Sequence, residues 1–278
     1  MRWTARRPFG LSNPINLIDR LAPERPPDGA RLLDRVRLRR AAVRYAAHGW
    51  PVTPGACLDG HRFDCGRPGC PIMACHPAIE SWEDAASTDL DRVRARWRRR
   101  PHAVLLATGR AFDVLEVPAT LGLRVLGAAR LRAGVMGAGA AGADPLDPRG
   151  PVAVTPSGQW MFLVRPGEPL RSALEDRVDV VRHGPGSWIP AAPSRMPDGA
   201  VRWAVPPRET GWRLPGSAAV QVLLVDAIAA TRHRRAHGGT GSRAAMAGPP
   251  QAASRVAAAP ATLGSAVPRQ VSTSRRAA

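Results

Sequence analysis

The residues most able to do chemistry sit close together. All four cysteines of the chain, Cys57, Cys65, Cys70 and Cys75, fall within nineteen residues, with His61 and His76 among them. Thiolates and imidazoles at that density are soft donors for a metal, and a chain kept in a reducing compartment rarely uses cysteines for disulfides. Zn(II) takes four tetrahedral nitrogen or sulfur ligands, so the stretch reads as a loop closed by a structural Zn(II). The run "CGRPGC" supplies Gly66 and Gly69 to turn the backbone, and Cys65-x4-Cys70 is wider than the usual CxxC knuckle. Six side chains compete for four positions, which leaves the ligand set open at this point. No Glu lies in the cluster to act as a general base, so a catalytic zinc is not expected. Elsewhere "GRAFD" and "GAGAAGAD" contain glycine without forming a Walker loop or a dinucleotide fingerprint, and no Ser/His/Asp arrangement has supporting context.

The elements around the cluster read as mixed helix and strand. Residues 30–48 place Leu32, Leu33, Val36, Ala42, Val43 and Ala46 at mostly helical spacing, with Gly49 as the stop. "WPVTPG" follows as a short strand, and residues 55–78 form a loop dense in Cys, His, Gly and Pro. "STDLDRVRARWRRRP" predicts a helix capped by Ser87 or Thr88 and halted before Pro101. "HAVLLATG" and "FDVLEV" are strand-length apolar runs, and residues 119–132 predict a helix packed on them. "PVAVTPSGQWMFLV" predicts a hairpin, two short strands follow in residues 176–194, "AVRWAV" gives a last strand, and residues 217–232 give a helix capped at Ser217. The expected architecture is one α+β domain over 30–231. A Pro/Arg-rich arm (1–29) precedes it, and a disordered Arg/Ala/Pro tail (232–278) follows.

The 278 residues carry 40 basic and 22 acidic side chains, and every basic one is Arg. A net charge of +18 suits an anionic partner such as DNA or RNA. The absence of Lys, with abundant Ala, Gly and Pro, also points to a GC-rich coding sequence, which weakens charge as a functional signal. The excess is concentrated at the ends: residues 1–40 hold ten Arg and four acids, and residues 227–278 hold eight Arg and no acid. No run of about 18 apolar residues predicts a membrane span. The first twenty residues lack the apolar core of a secretory signal, so the expected compartment is the cytoplasm.

Several segments, taken in order, resemble the prim-pol domain of bifunctional DNA primase/polymerases, in the archaeo-eukaryotic primase superfamily. They are "AAVRYAAHGWPVTPG", "CHPA", "SWEDAASTDLDRVRARW", "VLLATGR", "DVLEV", "VAVTPSG", "VDVV" and "IPAAPS". Together they span roughly 40–205. The resemblance implies a prim-pol-like mixed sheet with flanking helices and an inserted Cys/His zinc knuckle. Cys65, Cys70 and His76 match three ligands of the family pattern. The fourth family Cys falls on Phe63, so Cys57, His61 or Cys75 must stand in, with Cys57 taken first.

Family chemistry needs divalent metals held by carboxylates, an acidic pair on one face of a strand with a third carboxylate nearby. Glu116 takes the first position, Pro118 takes the second and cannot ligate, and Asp179 takes the third. Asp113 lies three residues from Glu116 and is expected on the opposite face. Ser157 and Gly158 match the small-residue turn of the nucleotide-binding motif, but its His position is Trp160. Arg110, after a Thr-Gly turn, could meet a phosphate. The expectation is therefore a degenerate prim-pol domain, with nucleotidyl transfer lost or weakened and a nucleic-acid-associated or regulatory role. Two alternatives stand beside it: an active template-dependent enzyme using Glu116, Asp179 and Mg(II) or Mn(II), and a partner-binding protein with no nucleic-acid role. With no helicase motor of its own, the chain would need a separate helicase or replication partner to replicate anything.

Overall fold

The computed structural model describes residues 28–136 and 147–238. The arm 1–27, the segment 137–146 and the chain after 238 lie outside the described residues. Helix α1 (Asp28–Ala47) leads into β1 (Val52–Pro54) and a hairpin of β2 (Cys57–Asp59) and β3 (Arg62–Asp64). Short α2 (Trp82–Ala85) and α3 (Leu90–Arg96) precede β4 (Val104–Ala107), β5 (Asp113–Pro118) and α4 (Ala119–Met136). Then follow β6 (Val152–Val154), β7 (Gln159–Val164), α5 (Ser172–Glu175), β8 (Val181–His183) and β9 (Trp188–Pro190). Strands β10 (Arg195–Met196), β11 (Gly199–Ala200) and β12 (Arg202–Val205) and helix α6 (Ser217–Gly238) complete the order. The fold is α+β, as the residue pattern predicts.

Two antiparallel sheets carry the architecture. One has the order β1-β4-β9, the other β12-β6-β7-β5-β8. The two strands expected in 176–194 exist, but they part company: β8 pairs with β5 and β9 with β4. Helices α1 and α3 pack on the smaller sheet, and α4 and α6 on the larger. One core lies beneath α1 and α3, built from Leu38, Ala42, Tyr45, Trp50, Trp97, Leu106, Val114 and Met161 among others. The second joins Leu115, Val117, Trp160 and Phe162 to Val125, Leu223 and Leu224 of the α4–α6 layer. Because side chains alternate along a strand, β5 sends Val114 to the first core and Leu115 and Val117 to the second. That alternation places Glu116 on the Val114 face.

Some boundaries differ from the sequence reading. The cap of α3 is Asp89, whose carboxylate accepts from the Asp91 and Arg92 N–H groups, while Ser87 Oγ accepts from Asp89 N–H. Ser–x–Asp offers two caps in a row, and the acidic one is better placed over the first turn. Ser217 is the first residue of α6 rather than its cap, and α6 runs to Gly238, past residue 231.

Aromatic packing absorbs many of the eight Trp. Tyr45 lies between Trp50, Trp203 and Trp212. Its hydroxyl donates to Ala192 O at 2.5 Å and accepts from Trp203 Nε1 at 3.0 Å. Burial pushes the phenol up to about 12, against the lowering pull of the Trp203 bond and of Arg44. The neutral phenol is the form the fold holds. Its stabilisation is therefore complete below pH 10 and is lost as pH rises through about 12. The chain has a single Tyr, so tyrosinate absorbance reads this residue alone. A titration midpoint near 12 is expected, with Tyr45→Phe removing the alkaline loss of stability; a midpoint near 10 would contradict this burial.

Candidate metal loop and carboxylate site

The β2–β3 hairpin fixes where the cysteines fall. Its register pairs Cys57 with Asp64, Leu58 with Phe63 and Asp59 with Arg62. Cys65 follows the last strand residue, the Arg67–Cys70 turn brings Cys70 back, and Ala56 N–H donates to His76 O at the far end. Cys65, Cys70 and His76 thereby bring their ligand atoms within 4.8 Å of one another. Cys70 Sγ lies 3.5 Å from His76 Nε2. His76 Nδ1 sits 2.8 Å from Ala74 O, where it donates, leaving the Nε2 lone pair for the thiols or a metal. The His76 residue is buried. Burial alone would raise the Cys65 thiol, but bonds from Arg67, His76 and Cys70 outweigh it and hold it at about 6. A thiolate-forming Cys, a second Cys and an oriented imidazole fit a soft divalent metal.

Among the described residues, no fourth donor converges with the trio. Cys57 Sγ points to His102 Nδ1 at 3.6 Å and is outside the trio. The hairpin explains this: Cys57 opens β2, where its direction is set by pairing with Asp64 rather than by the loop. Burial pushes the Cys57 thiol up to about 11 and the Cys75 thiol up to about 12. His61 is exposed at the hairpin turn. Phe63 packs with Ala56 and Cys65.

The carboxylates are dispersed. Glu116 Oε2 lies 2.8 Å from His183 Nε2, and His183 Nδ1 lies 2.9 Å from Ser187 Oγ. This partnership arises because β8 pairs with β5 so that His183 faces Val114 and Val181 faces Glu116. Pro118, two residues along on the same face, offers no ligand atom. Asp113 points to the other side, as its spacing predicts. It is 1% exposed, and its Oδ2 accepts from Arg182 Nε, Arg182 Nη2 and Gly167 N–H at 3.0, 2.7 and 3.1 Å. Its Oδ1 is buried without a hydrogen-bond partner. Asp179 sits in the turn before β8 rather than on a strand, and Arg177 grips it at 2.9 and 2.6 Å. Among the described residues, the group of three Cys, His or carboxylate donors that converges is Cys65, Cys70 and His76, and Glu116, Asp113 and Asp179 form no such group. A centre that clamps two hard cations between shared carboxylates does not fit these residues.

The nucleotide-binding candidates also separate. Arg110 is exposed in the β4–β5 turn, before Asp113. Ser157 and Gly158 lie in the β6–β7 turn, where Ser157 Oγ is 2.8 Å from Thr155 Oγ1 and Gly158 adopts φ +84°. Gln159 pairs with Pro118, so this turn sits at the far end of β5 from Arg110, about 17 Å along the strand. Trp160 is a correction. It pairs with Val117, faces the sheet side opposite to Glu116, and is buried in the second core. A Cβ on Gly122 of α4 would lie 2.3 Å from its ring, so that helix is pressed onto the indole. Trp160 therefore packs the helix and offers no face to a base. His183 carries the one contact to Glu116 that the linear pattern did not single out; its signal is the four-residue spacing to Ser187 across "HGPGS".

A family model described as bifunctional DNA primase/polymerase, N-terminal, matches residues 42–216. The chain belongs to this prim-pol family. No curated protein and no solved structure matches it. The prim-pol match begins within α1 and ends one residue before α6, so it takes in both sheets, the metal loop and the carboxylate strand. Membership points to primase/polymerase-like function and to nucleic acid or nucleotides as partners. A Cys/His cluster able to hold a metal accompanies it. Among the described residues, no helix is long and apolar enough to cross a membrane.

Proposed function

We propose that this chain is a prim-pol domain that keeps the fold and a zinc-closed loop while its nucleotidyl transfer is lost or strongly weakened. Its role on this reading is nucleic-acid-associated or regulatory. The observation that carries the proposal is the state of Glu116. It is bound to His183, with Pro118 where a second carboxylate is needed, Asp113 turned to the helix side and Asp179 held by Arg177. Removing a single oxyanion-hole donor elsewhere in enzymology already costs about 2.7–4 kcal/mol, or two to three orders of magnitude in rate. Here a carboxylate and the nucleotide-contacting His are both replaced. Zn(II) in the loop is structural on this account, held by Cys65, Cys70 and His76 with a fourth donor from Cys75, His61 or solvent.

The test is a Mn(II) titration of the zinc-loaded protein, read by the spin resonance of free Mn(II), with Glu116→Ala and Asp179→Ala alongside. The expected result is only weak, non-saturating uptake, the same in all three. A tight Mn(II) site lost in both variants would mean a rebuilt centre and an active enzyme. Salt-dependent retention of labelled single strands should accompany the absence of a site; no retention would favour the partner-binding alternative.

A further inference from the structure

A cleft of about 650 Å³ opens between α1, the β2–β3 hairpin and the residues after α3. It shares no residue with the carboxylate site. Arg35 and Leu38 of α1, Cys57 and Asp64 of the hairpin, and Arg99 and Arg100 after α3 line it, with Asp34, Asp59 and Arg195 adding charge. All three of its carboxylates are already engaged. Asp64 accepts from Arg100 at 2.5 Å and from Gly66 N–H, and Asp34 pairs with Arg195 at 3.4 Å. Among the described residues, Arg35 and Arg99 have neither an ion pair nor a hydrogen bond.

Two of the segments that reach the cleft are rich in arginine. Segments 28–47 and 89–100 hold twelve of the forty Arg against four Asp. Genome composition alone would spread arginines along the chain, whereas these lie on two elements packed on each other. Asp91 takes Arg94. Arg98 is exposed beside Arg99, whereas Arg37, Arg40 and Arg44 are exposed on the side of α1 turned away from Arg35 and lie outside the cleft. Guanidinium forks match the geometry of phosphate oxygens, and a run of them suits a repeating anion better than one isolated group.

We propose that this cleft seats the phosphodiester backbone of a nucleic-acid strand, with Arg35 and Arg99 each meeting a phosphate. The inference rests on the nucleic-acid-associated reading above and assigns that role to a surface away from Glu116. The metal loop acts here as structure, because its hairpin supplies one wall.

The experiment is fluorescence anisotropy of the full chain with a labelled mixed-sequence single-stranded DNA and its RNA counterpart, over a range of salt. Arg35→Ala/Arg99→Ala is compared with Arg171→Ala/Arg208→Ala, which removes the same charge from exposed positions elsewhere. The cleft variant should bind about tenfold more weakly, with a salt slope shallower by about 1.4, while the control shifts affinity by no more than about twofold. Such a loss in either strand supports the proposal, and the strand that shows it names the source of the phosphates. Equal losses in both double variants would mean diffuse charge attraction and overturn it. Parent-like binding by the cleft variant would overturn it while leaving the nucleic-acid reading intact. No binding by the parent would overturn both.

Discussion

Arg182→Ala is expected to destabilise the fold by about 3–5 kcal/mol, because it strands the Asp113 carboxylate inside the protein. Asp113 is 1% exposed, and Arg182 supplies two of its three hydrogen bonds. What remains is the Gly167 N–H on Oδ2, with Oδ1 unpartnered. The reverse change, Asp113→Leu, should cost less, since the Arg182 side chain is a quarter exposed and can turn to water. The double change Asp113→Leu/Arg182→Leu should be less harmful than Arg182→Ala alone, the pattern of a buried pair whose desolvation cost offsets its attraction. Urea midpoints of the four proteins measure this directly. Their order also bears on function, because it assigns Asp113 to joining β5, β8 and the Gly167 turn rather than to a metal. A stable Arg182→Ala variant would mean that the carboxylate is free for another partner.

Removing the metal from the Cys/His loop should have the second large effect. Between Cys65 and His76 the chain makes few backbone hydrogen bonds, the Cys70–Arg67 turn being one. Metal ligation is expected to hold that segment together. Apparent binding energies of about 10–16 kcal/mol make small zinc modules fold only with metal, and a fraction of that is at stake here, because Ala56 and Ala78 still anchor the far end of the loop. The expected outcome is about one zinc per chain as purified, lost in Cys70→Ser and His76→Ala. Thermal stability should fall with chelator in the parent and not in these variants. Cys57→Ser should keep its zinc, since its sulfur belongs to the His102 contact. Zinc loss in Cys57→Ser would restore the ligand set read from the sequence.

The contrast between these two predictions traces what the residues alone reveal. Spacing placed Asp113 and Glu116 on opposite faces, because the period-two rule is local and β5 is a regular strand. Trp160 escaped the same rule. Strand β7 is buried on both faces along nearly its whole length, so "QWMFLV" has no polar alternation to show which side each residue takes. The Glu116–His183 bond depends on the pairing of two strands far apart in sequence, and nothing near either residue sets that register. Ligand type and loop spacing pointed to a metal loop, while the choice of Cys65, Cys70 and His76 within it came from the family resemblance; their ligand atoms do lie together. The placement of Cys57 apart from this trio was not legible, because three-residue strands are too short to announce the hairpin that directs its side chain toward His102. The basic cleft was legible only as composition: the Arg run after α3 is plain in the sequence, but its neighbours across the cleft come from α1, the hairpin and β10.

Template-directed primer extension and de novo priming in Mn(II), run with parent, Glu116→Ala and Asp179→Ala, test the central claim most directly. The account predicts no incorporation by any of the three, from protein that is folded, zinc-loaded and able to bind the primed template. Incorporation by the parent that disappears in both variants would contradict it, and would mean that Glu116 leaves His183 and Asp179 leaves Arg177 to assemble a metal centre without the second family carboxylate.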